Sequence, residues 1–155
     1  MEPADTLAVT MLAARYAHSV DRRDATRLAS LLTPEVVLVL PPELNGTDAP
    51  SELTGRHEVV GSVLKSVSRF VVTRHVLEQQ TLEMISRDGA RGEAYCTAHH
   101  IYSRDGGHRD ARIAIRYQDT FARDGDTWLF SRRELVVDFI EDVPVTLPAP
   151  PGPAV

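Results

Sequence analysis

Three tight-turn signals in the second half of the chain constrain the fold more than any other feature. Residues 87–89, 105–107 and 124–126 read Arg-Asp-Gly, Asp-Gly-Gly and Asp-Gly-Asp. Such groups favour the tight turns of β-hairpins, and the runs between them have the length of single strands. The sequence therefore predicts four antiparallel strands, over residues 75–86, 91–103, 111–123 and 127–140.

Side chains in the third of these strands alternate between two faces. Ile113, Ile115 and Tyr117 share one face, whereas Arg112 and Arg116 lie on the other. Successive residues of a strand point to opposite sides of a sheet. We therefore expect one face of this sheet to be covered and the other to be partly open to water.

The first half of the chain has helical patterns. Apolar residues recur at three- and four-residue spacing over residues 5–20, which predicts an amphipathic helix. Asp24 then suits an N-cap for a short helix that ends at the Thr33-Pro34 pair. A buried strand is expected over 36–40, followed by a Pro-, Gly-, Asn- and Ser-rich loop and a further helix over 56–69.

Helices followed by a long antiparallel meander indicate the α+β class, with N-terminal helices packed on a strongly curved, mostly antiparallel sheet. Residues 1–143 are predicted to form this single domain. Residues 144–155 form a proline-rich tail, because five of the ten prolines lie there. Such a tail suits a disordered or polyproline-like segment, or an arm that crosses a neighbouring subunit or closes over a pocket.

Composition excludes several functional classes. The chain has 155 residues, of which 43% are hydrophobic and 25% charged, which is ordinary for one soluble domain. A single cysteine, Cys96, fits a reducing, cytoplasmic setting. The net charge of −5, with basic and acidic residues interleaved, argues against nucleic acid as a partner. No apolar run is long enough to predict membrane insertion, and no signal peptide opens the chain.

Common cofactor and metal motifs are missing from the sequence. Gly89-x-x-Gly92 and Gly106-Gly107 belong to hairpin turns, so they predict no nucleotide site. His99 and His100 are adjacent on a strand and point to opposite faces, so we expect no metal site. The sequence leaves open which of the two faces inward. His100 would share its face with three small side chains, Ala94, Cys96 and Ala98.

Asp21 is the candidate with the clearest physical argument. It follows an apolar helix near the C-terminal end, where the helix dipole disfavours a carboxylate by about 0.3–1 kcal/mol. Arg22 and Arg23 offer one form of compensation, as surface ion pairs at a solvated turn. His75, at the expected start of a strand, offers the other. A carboxylate beside its imidazole would fix the tautomer and make a plausible general base.

Three segments resemble the SnoaL-like branch of the nuclear transport factor 2-like superfamily. They are HSVDRRDATRLASLLTPEVVLVL, the strand-opening TRH, and RYQDTFARDGDTWLFSRRELVVDF, and the resemblance extends over residues 7–141. It implies a cone-shaped α+β barrel around a deep apolar pocket. The branch includes polyketide cyclases, scytalone dehydratase and hexachlorocyclohexane dehydrochlorinase.

The resemblance to the dehydrochlorinase implies three candidate catalytic residues. Asp21 matches its aspartate before RLAS, His75 matches its strand-opening base, and Arg133 in WLFSRR matches its active-site arginine. Two departures argue against the same chlorinated substrate, since Tyr16 stands where that enzyme has lysine and Leu38 where it has tryptophan. For the second histidine of scytalone dehydratase, this chain offers His100.

The implied mechanism is abstraction of a carbon-bound proton by His75, oriented by Asp21. Arg133 or a phenol would assist the leaving group, and no cofactor is required. The expected substrate is a small or medium apolar molecule. The residues expected to bind it are Tyr16, Leu38, Cys96, His100, Ile115 and Tyr117.

Several alternatives remain open on the sequence. The same residues suit a polyketide cyclase or a ketosteroid-type isomerase, and the superfamily also includes non-catalytic ligand carriers and oxygenase β subunits. A relationship to limonene epoxide hydrolase would need a second pocket carboxylate, from Asp119 or Asp138. The resemblance also implies a homodimer or homotrimer formed through the outer sheet face. A bulge near Ser131 would invert which residues of the last strand face outward.

Overall fold

A computed structural model describes residues 2–150 of the chain, in four helices and six strands. The helices are α1 (Pro3–Asp21), α2 (Ala25–Ser30), α3 (Pro42–Asn45) and α4 (Arg56–Val67). The strands are β1 (Leu32–Val39), β2 (Glu52–Thr54), β3 (Val72–Ser86), β4 (Gly89–Arg104), β5 (Gly107–Asp124) and β6 (Thr127–Val145).

The six strands form one curved, open sheet in the order β2-β1-β6-β5-β4-β3. Only the β1–β6 pair is parallel among these strands, and the other pairs are antiparallel. The expected α+β architecture with a mostly antiparallel sheet is confirmed. The sheet does not close into a complete barrel, since β2 and β3 are left as its two edges.

The three hairpins form at the predicted turns, and in two of them turn residues adopt left-handed backbone geometry. Asp105 and Gly106 have φ values of 51° and 78°, and Gly125 has 59°. Glycine adopts these angles without steric cost, and aspartate tolerates them better than most residues. The long strands β3 to β6 therefore follow one another as a meander.

The first half forms its helices close to the predicted positions. Asp24 caps α2 as expected, because its side chain accepts a hydrogen bond of 2.9 Å from the backbone N–H of Arg27. The strand expected over 36–40 begins earlier, at Leu32. Its pairing with β6 is irregular between Leu32 and Val37, on either side of Pro34, which lacks a backbone N–H.

One sheet face packs against the helices and is called the inner face here. It carries Ile113, Ile115 and Tyr117, all buried as predicted. The main core lies between α1 and the part of the sheet around Phe130. There, the rings of Tyr16 and Phe130 meet edge-on, with their centroids 5.7 Å apart. The helices thus cover one end of the inner face and leave a hollow toward the other end.

Two bulges in β6 decide which of its side chains reach the inner face. Opposite β5, the pairing skips Ser131 and again skips Asp138. Each extra residue shifts the alternation by one. Phe130 therefore faces inward, Arg133 does so after the first bulge, and Ile140 does so after the second. A bulge at Ser131 agrees with the sequence expectation.

The last strand runs to Val145, two residues past the expected domain end at 143, and Pro144 pairs with Arg109. The final residues of the expected tail, 151–155, lie outside the described part. On the outer sheet face, Val76 and Phe139 are 37% and 62% exposed. Pairing of two or three subunits through this face stays a prediction.

Within residues 2–150, none of the helices combines the length and the apolar character that crossing a lipid bilayer requires.

Candidate functional site

A cavity of about 300 Å³ lies between the inner sheet face and the helices. Its surface is mostly apolar. Eight elements or their flanking residues contribute to it, namely α1, α3, α4, β1 and β3 to β6. The polar side chains that line it are Tyr16, Glu43, Asn45, Ser62, Ser66, Arg69, His75, His100 and Tyr117. A larger depression of about 470 Å³ on the outer face is open and lined by charged residues, so it excludes water poorly.

Asp21 and His75 meet at one wall of this cavity. His75 Nδ1 lies 2.7 Å from Asp21 Oδ1, and the backbone N–H of His75 donates to Asp21 Oδ2 at 2.9 Å. The Thr73 hydroxyl donates to Asp21 Oδ1 at 3.0 Å. Asp21 is the last residue of α1 and His75 lies near the start of β3, so packing of α1 on β3 creates the contact.

The hydrogen bonds around Asp21 keep its carboxyl group ionised. Burial raises the pKa of Asp21, but the bonds from the His75 side chain and backbone and from Thr73 outweigh burial and hold it below its usual range. An ionised carboxylate only accepts hydrogen bonds. The proton of neutral His75 therefore sits on Nδ1, and Nε2 keeps a lone pair.

The environment of His75 is nearly closed to solvent. Its side chain is 9% exposed, and that of Asp21 behind it is 21% exposed. His75 is one of the cavity-lining residues, whereas Asp21 is not. The pair therefore places the His75 imidazole, with Asp21 held against its Nδ1, at an apolar cavity, which is the arrangement that a general base requires.

His100 is the histidine of the adjacent pair that faces inward. Its ring stacks on Phe70 at 4.5 Å and meets the ring of His75 edge-on at 5.5 Å. His99 lies on the outer face, where its Nδ1 is 2.6 Å from Asp110 Oδ2. The expected opposite orientation of the two histidines is thus observed, and the question that the sequence left open is settled.

Burial keeps His100 neutral. Burial lowers its pKa to about 4, helped by the positive charge of Arg69 and by His75. Its Nε2 is buried and has no hydrogen-bond partner among the described residues. Such an atom is costly to leave unpaired, so a polar group of a bound ligand would satisfy it.

Arg133 does not reach the cavity, which corrects its expected contact with a leaving group. Its guanidinium forms a two-pronged ion pair with Asp119, with both N–O distances at 2.8 Å. Its central carbon lies 4.2 Å from the Tyr16 ring centre and 4.0 Å from that of Tyr117. Burial alone would lower the pKa of Arg133, but the Asp119 carboxylate outweighs it and holds the pKa above its usual value.

Comparison with protein families identifies the family of this chain. A family model described as a SnoaL-like domain matches residues 1–134, which include the helices, Asp21, His75 and Arg133. The chain belongs to the SnoaL-like family. No curated protein matches it.

Solved structures share the SnoaL-like fold at low sequence identity. A candidate scytalone dehydratase from Novosphingobium aromaticivorans is 21% identical, with a TM-score of 0.75, over 98% of this chain and 96% of that chain. A hexachlorocyclohexane dehydrochlorinase from Novosphingobium barchaimii is 18% identical, with a TM-score of 0.77, over 95% and 96%. A candidate aromatic ring hydroxylase from Novosphingobium aromaticivorans is 20% identical, with a TM-score of 0.76, over 92% and 96%.

Most of the expected binding residues line the cavity of this SnoaL-like chain. They are Tyr16, Leu38, His100, Ile115 and Tyr117. Cys96 is the exception. It is buried on the inner face opposite Ile115, outside the cavity lining, and burial raises the pKa of its thiol to about 11. Cys96 is therefore a packed, protonated side chain next to Tyr117 rather than a binding residue.

Neither carboxylate considered for an epoxide hydrolase site reaches the cavity. Asp119 is taken up by Arg133, and Asp138 forms an ion pair with Arg116, its Oδ1 2.7 Å from Nη2. Among the described residues, no group of three or more His, Cys, Asp or Glu side chains is arranged to hold a metal ion.

Sequence reasoning missed one side of the cavity in this SnoaL-like chain. Leu44 and Asn45 come from α3, which lies in the segment that we expected to be a loop. Arg69 and Phe70 come from the residues just after α4. Leu44, an isolated apolar residue within a polar segment, was the one signal that this loop packs against something.

Proposed function

We propose that this SnoaL-like protein is a cofactor-independent lyase of the dehydratase type, with His75 as its general base. One observation carries the proposal: His75 Nδ1 forms a hydrogen bond of 2.7 Å with Asp21, and the His75 side chain lines an apolar cavity of about 300 Å³. The substrate class is a small or medium apolar molecule that has an acidic C–H bond next to a carbon bearing a leaving group.

In the proposed reaction, Nε2 of His75 takes the proton from carbon. The electrons of that C–H bond form a new carbon–carbon double bond, and the leaving group departs with its own bonding electrons. Asp21 stabilises the imidazolium that forms, because its carboxylate accepts the Nδ1–H bond throughout. His75 then gives its proton to water, which restores the base.

In this proposal, either of two phenols protonates the leaving group. Tyr16 and Tyr117 both line the cavity, and burial raises the pKa of each hydroxyl. Both phenols therefore carry their protons at neutral pH, and the phenolate that is left after a donation regains its proton from water. Arg133, behind the two rings, counteracts burial through its positive charge and so makes both protons easier to donate. Arg133 would act through these rings rather than by touching the substrate.

His100 supplies a further polar contact. Its neutral ring lies beside His75, and its unpaired Nε2 can bond a carbonyl or hydroxyl group of the substrate. Such a bond would hold the substrate with its acidic carbon toward His75. The apolar remainder of the wall excludes water, which strengthens these charge interactions.

The proposal is tested by incubating the purified protein with a panel of β-hydroxy ketones and β-halogenated rings. We expect at least one compound to lose water or hydrogen halide, and mass spectrometry of the products measures this loss. His75→Gln should reduce the rate by about 10²–10⁴-fold. His57→Gln is the matched control, because His57 is exposed on α4 and should leave the rate unchanged.

Three outcomes would overturn the lyase proposal. Full turnover by His75→Gln would exclude this residue as the base. Ring closure or a shifted double bond without loss of a small molecule would instead indicate a cyclase or an isomerase. A tightly held ligand that is recovered unchanged, or a stable complex with a larger catalytic chain, would indicate a non-catalytic subunit.

A further inference from the structure

Arg23 occupies a backbone position that normally favours glycine. It follows the end of α1 with a φ of 55°, in the left-handed region. The backbone N–H groups of Arg23 and Asp24 close the helix by donating to Val20 and Ser19 carbonyls at 3.1 and 2.9 Å. This closing pattern usually has glycine where Arg23 stands, since a side chain there costs about 1–2 kcal/mol.

The Arg23 side chain joins three elements around the candidate base. Nη1 donates to the Thr73 hydroxyl at 2.6 Å and to the Asp21 carbonyl at 2.8 Å. Nη2 donates to the Val67 carbonyl at 3.0 Å. One guanidinium therefore fixes the end of α1, the end of α4 and the start of β3 relative to one another.

The chemistry of these groups decides which partner donates in each hydrogen bond. A guanidinium has donors and no acceptor, so the Thr73 oxygen must accept from Arg23. The Thr73 hydrogen is then free to point at Asp21 Oδ1, 3.0 Å away. Asp21, an acceptor only, receives the Nδ1 proton of His75 as long as its carboxylate is held against the imidazole. Donation therefore converges on Asp21, from Arg23 through Thr73 on one side and from His75 Nδ1 on the other.

We infer that Arg23 is a positioning residue, which holds His75 in the tautomer with an unprotonated Nε2 by acting through Thr73 and Asp21. This inference rests on the proposed role of His75 as base. Arg23 is not among the cavity-lining residues, so it acts through its neighbours rather than by contact with a substrate. Arg22, its exposed neighbour, has no such role.

The test compares Arg23→Gly with wild type. Glycine suits the backbone angle, so the variant should fold, and it removes the guanidinium alone. Nitrogen-detected NMR of the histidine rings reports the tautomer without any substrate, with the His75 signal assigned by its loss in His75→Gln. We expect the Nδ1-protonated signal of His75 to be lost or mixed with the Nε2-protonated form. Arg22→Gly is the matched control and should keep the wild-type signal.

Thr73 variants separate positioning from general stability. Thr73→Val has nearly the same shape without the hydroxyl and should reproduce the change seen in Arg23→Gly. Thr73→Ser keeps the hydroxyl, so this variant should show the same His75 signal as the wild type. With an identified substrate, Arg23→Gly should reduce kcat by about 10–100-fold while KM changes little.

An unchanged His75 tautomer in a folded Arg23→Gly variant would overturn the inference. The inference would also be overturned if Thr73→Ser lost the Nδ1-protonated signal of His75 to the same extent as Thr73→Val. If no compound is turned over by the wild type, the lyase proposal fails, but the tautomer measurement still decides the role of Arg23. The two failures are therefore distinguishable.

Discussion

Asp21 Oδ1 accepts a hydrogen bond from His75 Nδ1 at 2.7 Å, while Asp21 Oδ2 accepts from the backbone N–H of the same residue at 2.9 Å. Both carboxylate oxygens are thus held by one residue. The side chain cannot rotate without breaking both bonds, so the plane of the carboxylate and the orientation of the imidazole are coupled. This coupling is what a single substitution at Asp21 would disturb.

Asp21→Asn should abolish most activity while leaving the fold intact. An asparagine amide that turns its NH₂ group toward His75 forces Nδ1 to accept, which moves the proton to Nε2 and removes the base from the cavity. We expect a rate loss of about 10²–10⁴-fold and a decrease of about 1–3 kcal/mol in the free energy of unfolding. Steady-state kinetics and urea unfolding measure the two effects.

Asp24→Asn serves as the control for Asp21→Asn. Asparagine caps a helix as well as aspartate does, so Asp24→Asn keeps the hydrogen bond from the Arg27 N–H. Neither the reaction rate nor the stability should change. Wild-type kinetics in Asp21→Asn would show that the Asp21 carboxylate does not set the state of His75.

The low pKa of His100 predicts a loss of stability in mild acid. Its pKa is about 4 in the folded protein, against an ordinary value of 6.5. Between these pH values the unfolded chain binds a proton that the folded chain does not, so stability falls as pH decreases through this window. The loss is at most about 3 kcal/mol. Asp21, whose pKa is lowered, contributes stability that is lost only below its ordinary pKa of 3.8.

Urea unfolding at pH 7.5 and pH 4.5 measures the effect of His100. We expect His100→Gln to lose clearly less stability between the two pH values than the wild type does. His57→Gln changes an exposed histidine and should retain the wild-type pH dependence. An equal pH dependence in wild type and His100→Gln would contradict the assignment.

Local sequence signals predicted the hairpins and the cap, because each depends on a few neighbouring residues. The turn at Asp105 and Gly106 and the cap at Asp24 need no information from the rest of the chain. The bulge at Asp138 and the pairing of Arg133 with Asp119 depend on the register between β5 and β6. That register results from packing of the whole sheet, so it cannot be predicted from a short sequence motif.

The site was predictable only in part for the same reason. The resemblance pointed to Asp21 and His75, and the structure brings them together. The resemblance also pointed to Arg133. A family motif specifies which residue is present, but it does not specify that Arg133 forms an ion pair with Asp119. Arg23 entered the sequence analysis only as a surface ion-pair partner of Asp21. Its bonds to Thr73 and Val67 depend on a left-handed backbone that the residue type does not reveal.

The Arg133–Asp119 pair predicts a strong asymmetry between single and double variants. Both side chains are almost fully buried, so Asp119→Ala leaves an unpaired charge in the core and should cost about 3–5 kcal/mol. Replacing both, as Asp119→Leu with Arg133→Met, removes the charges together and should be clearly less destabilising. Urea unfolding of the wild type and these two variants decides this. A double variant as unstable as Asp119→Ala would mean that the pair supplies more than mutual neutralisation.

Filling the cavity from β5 should block ligand binding without affecting the outer face. Ala111 lines the cavity opposite His100, whereas Ala114 lies on the outer face of the same strand beside Phe139. We expect Ala111→Leu to weaken binding of a neutral apolar probe, 2-naphthol, by at least about tenfold, because the added side chain occupies space within the 300 Å³ available. Ala114→Leu adds the same volume and should leave the Kd unchanged. Fluorescence titration measures both, and equal affinities in the two variants would show that 2-naphthol binds outside this cavity.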